Sequence, residues 1–189
     1  MSKIINISRR DFLKAGALMG GGLVLGFSLP VRIPLAEGTA RASKSLTPNA
    51  FIRISTDTFV TVIVNKSEMG QGVYTALPML IAEELECDWT KILVEAAPVD
   101  PAYNHTEWGP LQGTGGSSSV RSTWTQFRKA GATARLMLVD AAAATWKVKP
   151  PACRAEKGFV IHDATKKKLS YGKLAIKAAK MEPPKDVPL

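Results

Sequence analysis

Two cysteines, Cys87 and Cys153, and two histidines, His105 and His162, are the only thiol and imidazole side chains in 189 residues. An iron–sulfur cluster usually draws on four cysteine thiolates, and a structural zinc site on four Cys or His at close spacing, so this chain builds neither. A Cys87–Cys153 disulfide is open to the chain after export, but two buried free thiols are the expected state. Aromatic residues are also sparse, at 7%. A nucleic-acid groove interleaves its cations with stacking rings, and that pattern is missing, so no nucleic-acid partner is expected despite a formal charge of +9. The apolar stretch Ala15–Leu29 is interrupted by Gly16, Gly20, Gly21, Gly22 and Gly26. It is shorter than the ~20 residues a spanning helix needs, so a permanent membrane anchor is not favoured.

What is present begins with the leader. Ser8-Arg9-Arg10-Asp11-Phe12-Leu13-Lys14 precedes the apolar stretch and matches the twin-arginine export pattern, and Ala40-Arg41-Ala42 supplies small residues for cleavage. The first 42 residues hold six Lys or Arg against two Asp or Glu, which leaves +5 for the remainder. That excess falls largely in Lys147–Lys185, including Lys166-Lys167-Lys168 beside an expected turn, and reads as a solvated surface.

Beyond Phe51, Ile52 and Ile54, a turn at Thr56-Asp57 and the run Val60–Val64 predict a hairpin whose second strand is buried on both faces. Leu77, Leu80, Ile81 and Leu85 recur at helical spacing, with Pro78 expected in or near the first turn. A strand over Ile92–Ala97 and a long loop over Pro98–Ser119 follow. Val120, Trp124, Phe127, Gly131, Ala134, Leu138 and Ala141 form the packed face of a long helix, and Arg121, Arg128 and Arg135 its wet face. After Pro150-Pro151, Cys153–Ala155 and Phe159–His162 predict a hairpin, and Tyr171–Lys180 a short helix. The composition of Glu182–Leu189 is that of a linker. The expected fold class is α+β: a mixed sheet of short strands packed by two or three helices, as part of a larger domain.

Two glycine-rich segments each open a helix. Gly70-Gln71-Gly72 lies between the buried strand and the first helix, where the backbone can approach a ligand and the helix start offers free amides to an anion. Thr75 stands where a nicotinamide-type fingerprint needs its third glycine. Gly113-Thr114-Gly115-Gly116-Ser117-Ser118-Ser119 precedes the long helix. Its amides, hydroxyls and positive helix end suit a phosphate or pyrophosphate, and no lysine follows to make a nucleoside-triphosphate loop. Taken singly, each segment also reads as an ordinary turn or a serine-capped helix start. Together they suggest a long ligand gripped at two places.

Glu68-Met69-Gly70-Gln71-Gly72-Val73-Tyr74-Thr75, the helix end Ala82-Glu83-Glu84-Leu85, and Thr114-Gly115-Gly116-Ser117-Ser118-Ser119-Val120-Arg121 resemble the molybdopterin-binding part of the xanthine oxidase and aldehyde oxidoreductase family. With the leader, the arrangement is most similar to large subunits of the isoquinoline 1-oxidoreductase type and their periplasmic aldehyde dehydrogenase relatives. The resemblance implies that Gly70, Gln71 and Gly72 touch the pterin. It also implies that Gly115 and Gly116, with Ser117, Ser118 and Ser119, hold the phosphates of a molybdopterin cytosine dinucleotide, in a register the three adjacent serines leave open. It implies oxidation of aldehydes or N-heterocycles, electrons passing to a small [2Fe–2S] subunit and onward to an acceptor such as a cytochrome c, and a periplasmic location.

The family's large subunits are several times longer, and their general-base glutamate lies in a far C-terminal segment. No catalytic residue and no metal ligand is therefore assigned here, and Glu83 and Glu84 are expected to be solvated. The expected organisation is a twin-arginine signal over 1–42, a partial molybdopterin-binding domain over 43–149, and a hairpin–helix segment with a linker over 150–189 that leads to the rest of the subunit. The alternative is a truncated, non-catalytic exported remnant.

Overall fold

The computed structural model describes residues 46–189, so the leader and its expected cleavage site lie outside the described residues. The described residues make up one compact unit. Its first sheet has the order β1-β2-β3-β4, with β1 Leu46–Asn49, β2 Ile52–Ile54, β3 Val60–Val64 and β4 Ile92–Ala96. The β1–β2 and β2–β3 pairs are antiparallel, whereas β3 and β4 run parallel with Val60 opposite Ile92. The sheet is mixed, and the parallel pair requires a crossover, which helix α1, Val73–Leu85, supplies. All five residues of β3 are buried, as its unbroken apolar run predicts. Strand β1 is an addition: the Pro in Leu-Thr-Pro-Asn demotes it as a strand from sequence, yet it pairs at the edge, where proline is tolerated.

Helix α2, Ser119–Trp146, spans 28 residues, or roughly 42 Å at 1.5 Å per residue. It packs along α1 and against β1 and β2. Phe127, Gly131, Ala134, Leu138 and Ala141 form the expected buried stripe. The helices approach closely at Gly131, where a Cβ would lie 2.7 Å from the Ile81 carbonyl oxygen. Two expectations for this helix are corrected. Val120 is 40% and Trp124 47% exposed, so the apolar stripe emerges from the core at the helix start. The arginine row is not simply wet. Arg128 Nη2 lies 2.5 Å from the Glu84 carboxylate, and Arg135 reaches both Glu84 and Glu86. Glu84, expected to be solvated, is buried for the same reason: two guanidinium groups from α2 replace the water it loses.

In α1, Pro78 is the sixth residue rather than part of the first turn, because the helix begins four residues before the apolar periodicity becomes visible at Leu77. A second sheet, β5-β6-β7, is an antiparallel meander of Cys153–Glu156, Phe159–His162 and Lys167–Ser170. Strand β7 adds to the expected hairpin; its lysine-rich sequence carries little strand signal. Ser170 caps α3, Tyr171–Ala178.

This last segment is tied to α1 by backbone. Gly158 N–H donates to the Glu86 carbonyl (3.0 Å), Tyr171 N–H donates to the Gly158 carbonyl (2.9 Å), and the Tyr171 hydroxyl donates to the Leu85 carbonyl (2.6 Å). Gly172 completes the docking, because its backbone lies against Thr56 in the β2–β3 turn. Cys87 and Cys153 are free and half-buried, and burial pushes the Cys87 thiol up to about 12, so it stays protonated and unreactive near neutral pH. Among the described residues no helix is long and apolar enough to cross a membrane.

Candidate functional site

Because β3 and β4 are parallel, the chain leaves both at the same end of the sheet, the carboxyl end at which open α/β sheets carry their ligands. The segment after β3 runs through Asn65, Lys66 and Ser67 to Gly70-Gln71-Gly72, and the segment after β4 runs to Gly113–Ser119. The roots of the two loops are joined directly. Ser67 N–H donates to Thr114 Oγ1 (2.8 Å), and Lys66 Nζ donates to the Gly113 carbonyl (3.1 Å). Asn65 Nδ2 donates to the Tyr103 carbonyl (3.1 Å). Between them is a cleft of about 160 Å³ lined by Lys66, Ser67, Tyr74, Gln112, Gly113 and Thr114 among others. Lys66 is buried there, and that burial pushes its ammonium below the usual lysine range, an effect Glu107 partly opposes.

The first loop does not present free amides. Glu68 Oε1 accepts from the N–H groups of Gly70 (2.8 Å) and Gly72 (3.0 Å), and its Oε2 accepts from Tyr74 N–H (2.9 Å). The anion at the start of α1 is thus the chain's own carboxylate. The Tyr74 amide leads the causes that hold that carboxyl below its usual range, followed by Gly72. Gly70 and Gly72 have φ of +93° and +80°, and a Cβ on either would meet open space, so the turn is exposed above the glycines. The Gln71 amide folds back on its own loop, accepting from Met69 N–H (2.6 Å) and donating to the Ser67 carbonyl (2.8 Å).

The second loop differs. Gly116 and Ser117 are both left-handed, with φ of +57° and +52°, and no side chain caps the start of α2. By helix geometry the first amides of α2 have no intrahelical acceptor. Successive amides turned by such a loop form a concavity that suits an anion. Ser117 is exposed and Ser119 half-buried, whereas Ser118 is buried with its hydroxyl turned inward to the Gly115 carbonyl (2.7 Å). The glycines also leave room for a ring beneath the loop. The Trp108 indole lies beneath them, 3.0 Å from a Cβ built on Gly113 and 3.5 Å from one on Gly115 or Gly116. Trp108 in turn stacks on the buried His105, with centroids 3.9 Å apart and planes within 2°.

Glu68, Lys66, His105 and Trp108 were not identified from sequence. Glu68 carries a readable signal, an acid four residues before the Gly72 cap. The other three carry none, since their role depends on a loop folding over them. Among the described residues no three His, Cys, Asp or Glu come together to hold a metal ion.

The molybdopterin cofactor-binding domain model matches residues 18–187, and a twin-arginine translocation signal sequence matches residues 6–26. The isoquinoline 1-oxidoreductase subunit beta of Brevundimonas diminuta is 34% identical over 176 residues, covering 90% of this chain and 22% of that protein. A membrane-bound aldehyde dehydrogenase (pyrroloquinoline-quinone) of Gluconacetobacter polyoxogenes is also 34% identical, over 91% of this chain and 21% of its own length. The chain therefore spans about a fifth of the length of these curated relatives. Among solved structures, the Cu,Mo-CO dehydrogenase superposes with a TM-score of 0.54 at 21% identity, covering 70% of this chain and 17% of that one. Quinoline 2-oxidoreductase from Pseudomonas putida 86 superposes at 0.52 and 15% identity, over 72% and 19%. These two likenesses show the fold.

Proposed function

Since the chain belongs to the molybdopterin cofactor-binding domain family, we propose that it forms one wall of the cofactor site in a molybdenum hydroxylase large subunit. The observation that carries this reading is the contrast between the two helix starts. That of α1 is closed by Glu68, while that of α2 is uncapped and preceded by two left-handed residues. A phosphate group there meets amide hydrogens and the positive end of a long helix.

The residues fit part of a molybdopterin cytosine dinucleotide. Gly115, Gly116, Ser117 and Ser119 would hold its phosphates, beside Ser118, whose amide and hydroxyl are both engaged by the Gly115 carbonyl. Gly70, Gln71 and Gly72 would border the pterin once the Gln71 amide turns from its own loop. The cleft of about 160 Å³ is too small to enclose such a group, so other parts of the large subunit would complete the site, packing on the exposed Val120 and Trp124. When bound, the cofactor supplies oxidative hydroxylation of an electron-poor carbon, as in an aldehyde or an N-heterocycle. This chain's own part is to bind and orient it. Electrons would leave through a small [2Fe–2S] subunit, with a cytochrome c as a further acceptor, in the periplasm.

The test is elemental analysis for molybdenum, and nucleotide analysis after acid hydrolysis, on the protein isolated with its partners from its own cells. Molybdenum together with CMP is the expected result, and Gly116→Val, which forces a branched side chain into a left-handed position, should abolish both. Full molybdenum content in Gly116→Val would reduce this loop to a helix start.

A further inference from the structure

We propose that His105 is a positioning residue that fixes the Gly113–Ser119 loop from beneath, acting as its Nε2–H tautomer on Ser118. The hydrogen-bond directions are determined by the partners. Glu107 N–H points at His105 Nδ1 (3.1 Å), and an amide only donates, so Nδ1 is the acceptor and carries no proton. Nε2 then bears the hydrogen and gives it to Ser118 Oγ (2.9 Å). Ser118 Oγ passes its own hydrogen to the Gly115 carbonyl (2.7 Å). The relay runs in one direction, from the Glu107 amide through the imidazole to the loop carbonyl.

Its effect on the loop is specific. It draws the Ser118 hydroxyl inward, which leaves the exposed Ser117 and half-buried Ser119 as the serines whose hydroxyls it does not engage. The Trp108 ring lies between the imidazole and the glycines, so the same histidine sets the height of the floor under Gly113, Gly115 and Gly116.

The device works only with a neutral imidazole. A proton on Nδ1 would face the Glu107 amide hydrogen. The charged groups around the ring are Lys66, Arg121 and Glu107, and the Glu107 carboxylate is already engaged by Arg121 at 2.7 Å. Burial, then Lys66, holds His105 below the ordinary 6.5, with Glu107 opposing and Arg121 adding slightly. A base with a lowered folded value stabilises the loop above its unfolded value, and that stabilisation is lost as pH falls through the folded value.

The inference rests on the reading that this loop faces the cofactor only for its functional meaning, so the experiment measures loop order separately from ligand binding. In the full chain, 15N shifts of the His105 ring should report the Nε2–H tautomer at neutral pH; an Nδ1–H tautomer would overturn the proposal. Amide exchange over residues 113–122, corrected for intrinsic rates, should lose about tenfold protection as pH falls below 6.5. His105→Gln keeps a donor near the Nε2 position and cannot titrate, so its protection should be flat with pH. His105→Asn keeps only the acceptor for Glu107 and should be unprotected throughout. Protection in α1 reports whether each variant folds, and if His105→Asn does not, the comparison of wild type with His105→Gln decides. An identical pH inflection in His105→Gln would refute the role. Binding of inorganic pyrophosphate to the same proteins tests the cofactor reading independently.

Discussion

Gly172→Ala sets helix propensity against packing, with opposite signs. Gly172 is the second residue of α3 and its φ is not in the left-handed region, so alanine is conformationally acceptable there and by propensity alone should stabilise by at most about 1 kcal/mol. The added Cβ, however, would stand 2.2 Å from the Thr56 carbonyl oxygen and 2.7 Å from its carbon. Neither side yields easily. Thr56 sits in a turn closed by Ser55 N–H to the Phe59 carbonyl and Thr58 N–H to the Ser55 carbonyl, both 3.0 Å. The start of α3 is held by Tyr171 N–H on Gly158 and the Tyr171 hydroxyl on Leu85. Overpacking typically costs about 1–3 kcal/mol, and a contact with backbone on both sides belongs at the upper end, so a net loss of about 2 kcal/mol is expected. With a urea slope of about 1–3 kcal/mol/M, the unfolding midpoint falls by roughly 0.7–2 M. Chemical denaturation followed by tryptophan fluorescence measures it. An alanine variant as stable as the parent, or more so, would mean that the two segments separate without cost, and the account of how α3 docks would be wrong.

Tyr171→Phe should cost about 1–3 kcal/mol, because the Leu85 carbonyl in the last turn of α1 loses a buried donor; the same denaturation assay reads it. Glu68→Gln should loosen the start of α1 at neutral pH. In wild type that protection is present above the ordinary 4.5 and fades as pH falls through the lowered folded value, whereas the variant should show no such step, as read by amide exchange at Gly70, Gly72 and Tyr74. Arg9→Lys with Arg10→Lys should block export, since lysine lacks the planar guanidinium donors, and undiminished periplasmic accumulation on fractionation would contradict it.

The elements legible in the sequence were those whose residues determine them locally. Val60–Val64, the helical recurrence of Phe127, Gly131, Ala134 and Leu138, and the pairing of Cys153–Ala155 with Phe159–His162 all appear where the patterns put them. The two glycine loops were legible as places where the chain opens a helix. What each loop does with its amides was not, because that depends on Glu68 turning back over its own turn and on Trp108 arriving from a segment with no regular pattern. Glu84 was misread for a related reason: a carboxylate on a short helix reads as solvated until two arginines from α2 are found across the helix contact. Val120 and Trp124 fit the apolar period of α2 yet extend past the sheet and α1 that it covers.

The bonds that join the two loops also bear on the order in which the molecule assembles. Lys66 with Gly113, and Ser67 with Thr114, are each separated by 47 residues, and the whole crossover through α1 and β4 lies between them. Closing so long a loop costs entropy that its two hydrogen bonds cannot repay alone. On this ground they are expected to form after β4 has aligned beside β3 and its pairing has brought the loop roots into range. The cleft is thus expected to close late in folding and to open readily in fluctuations of the native state, which amide exchange at Ser67 would report. A ligand that spans both loops would find them still separable late in folding, and by bridging them would complete a closure that the polypeptide by itself makes only weakly.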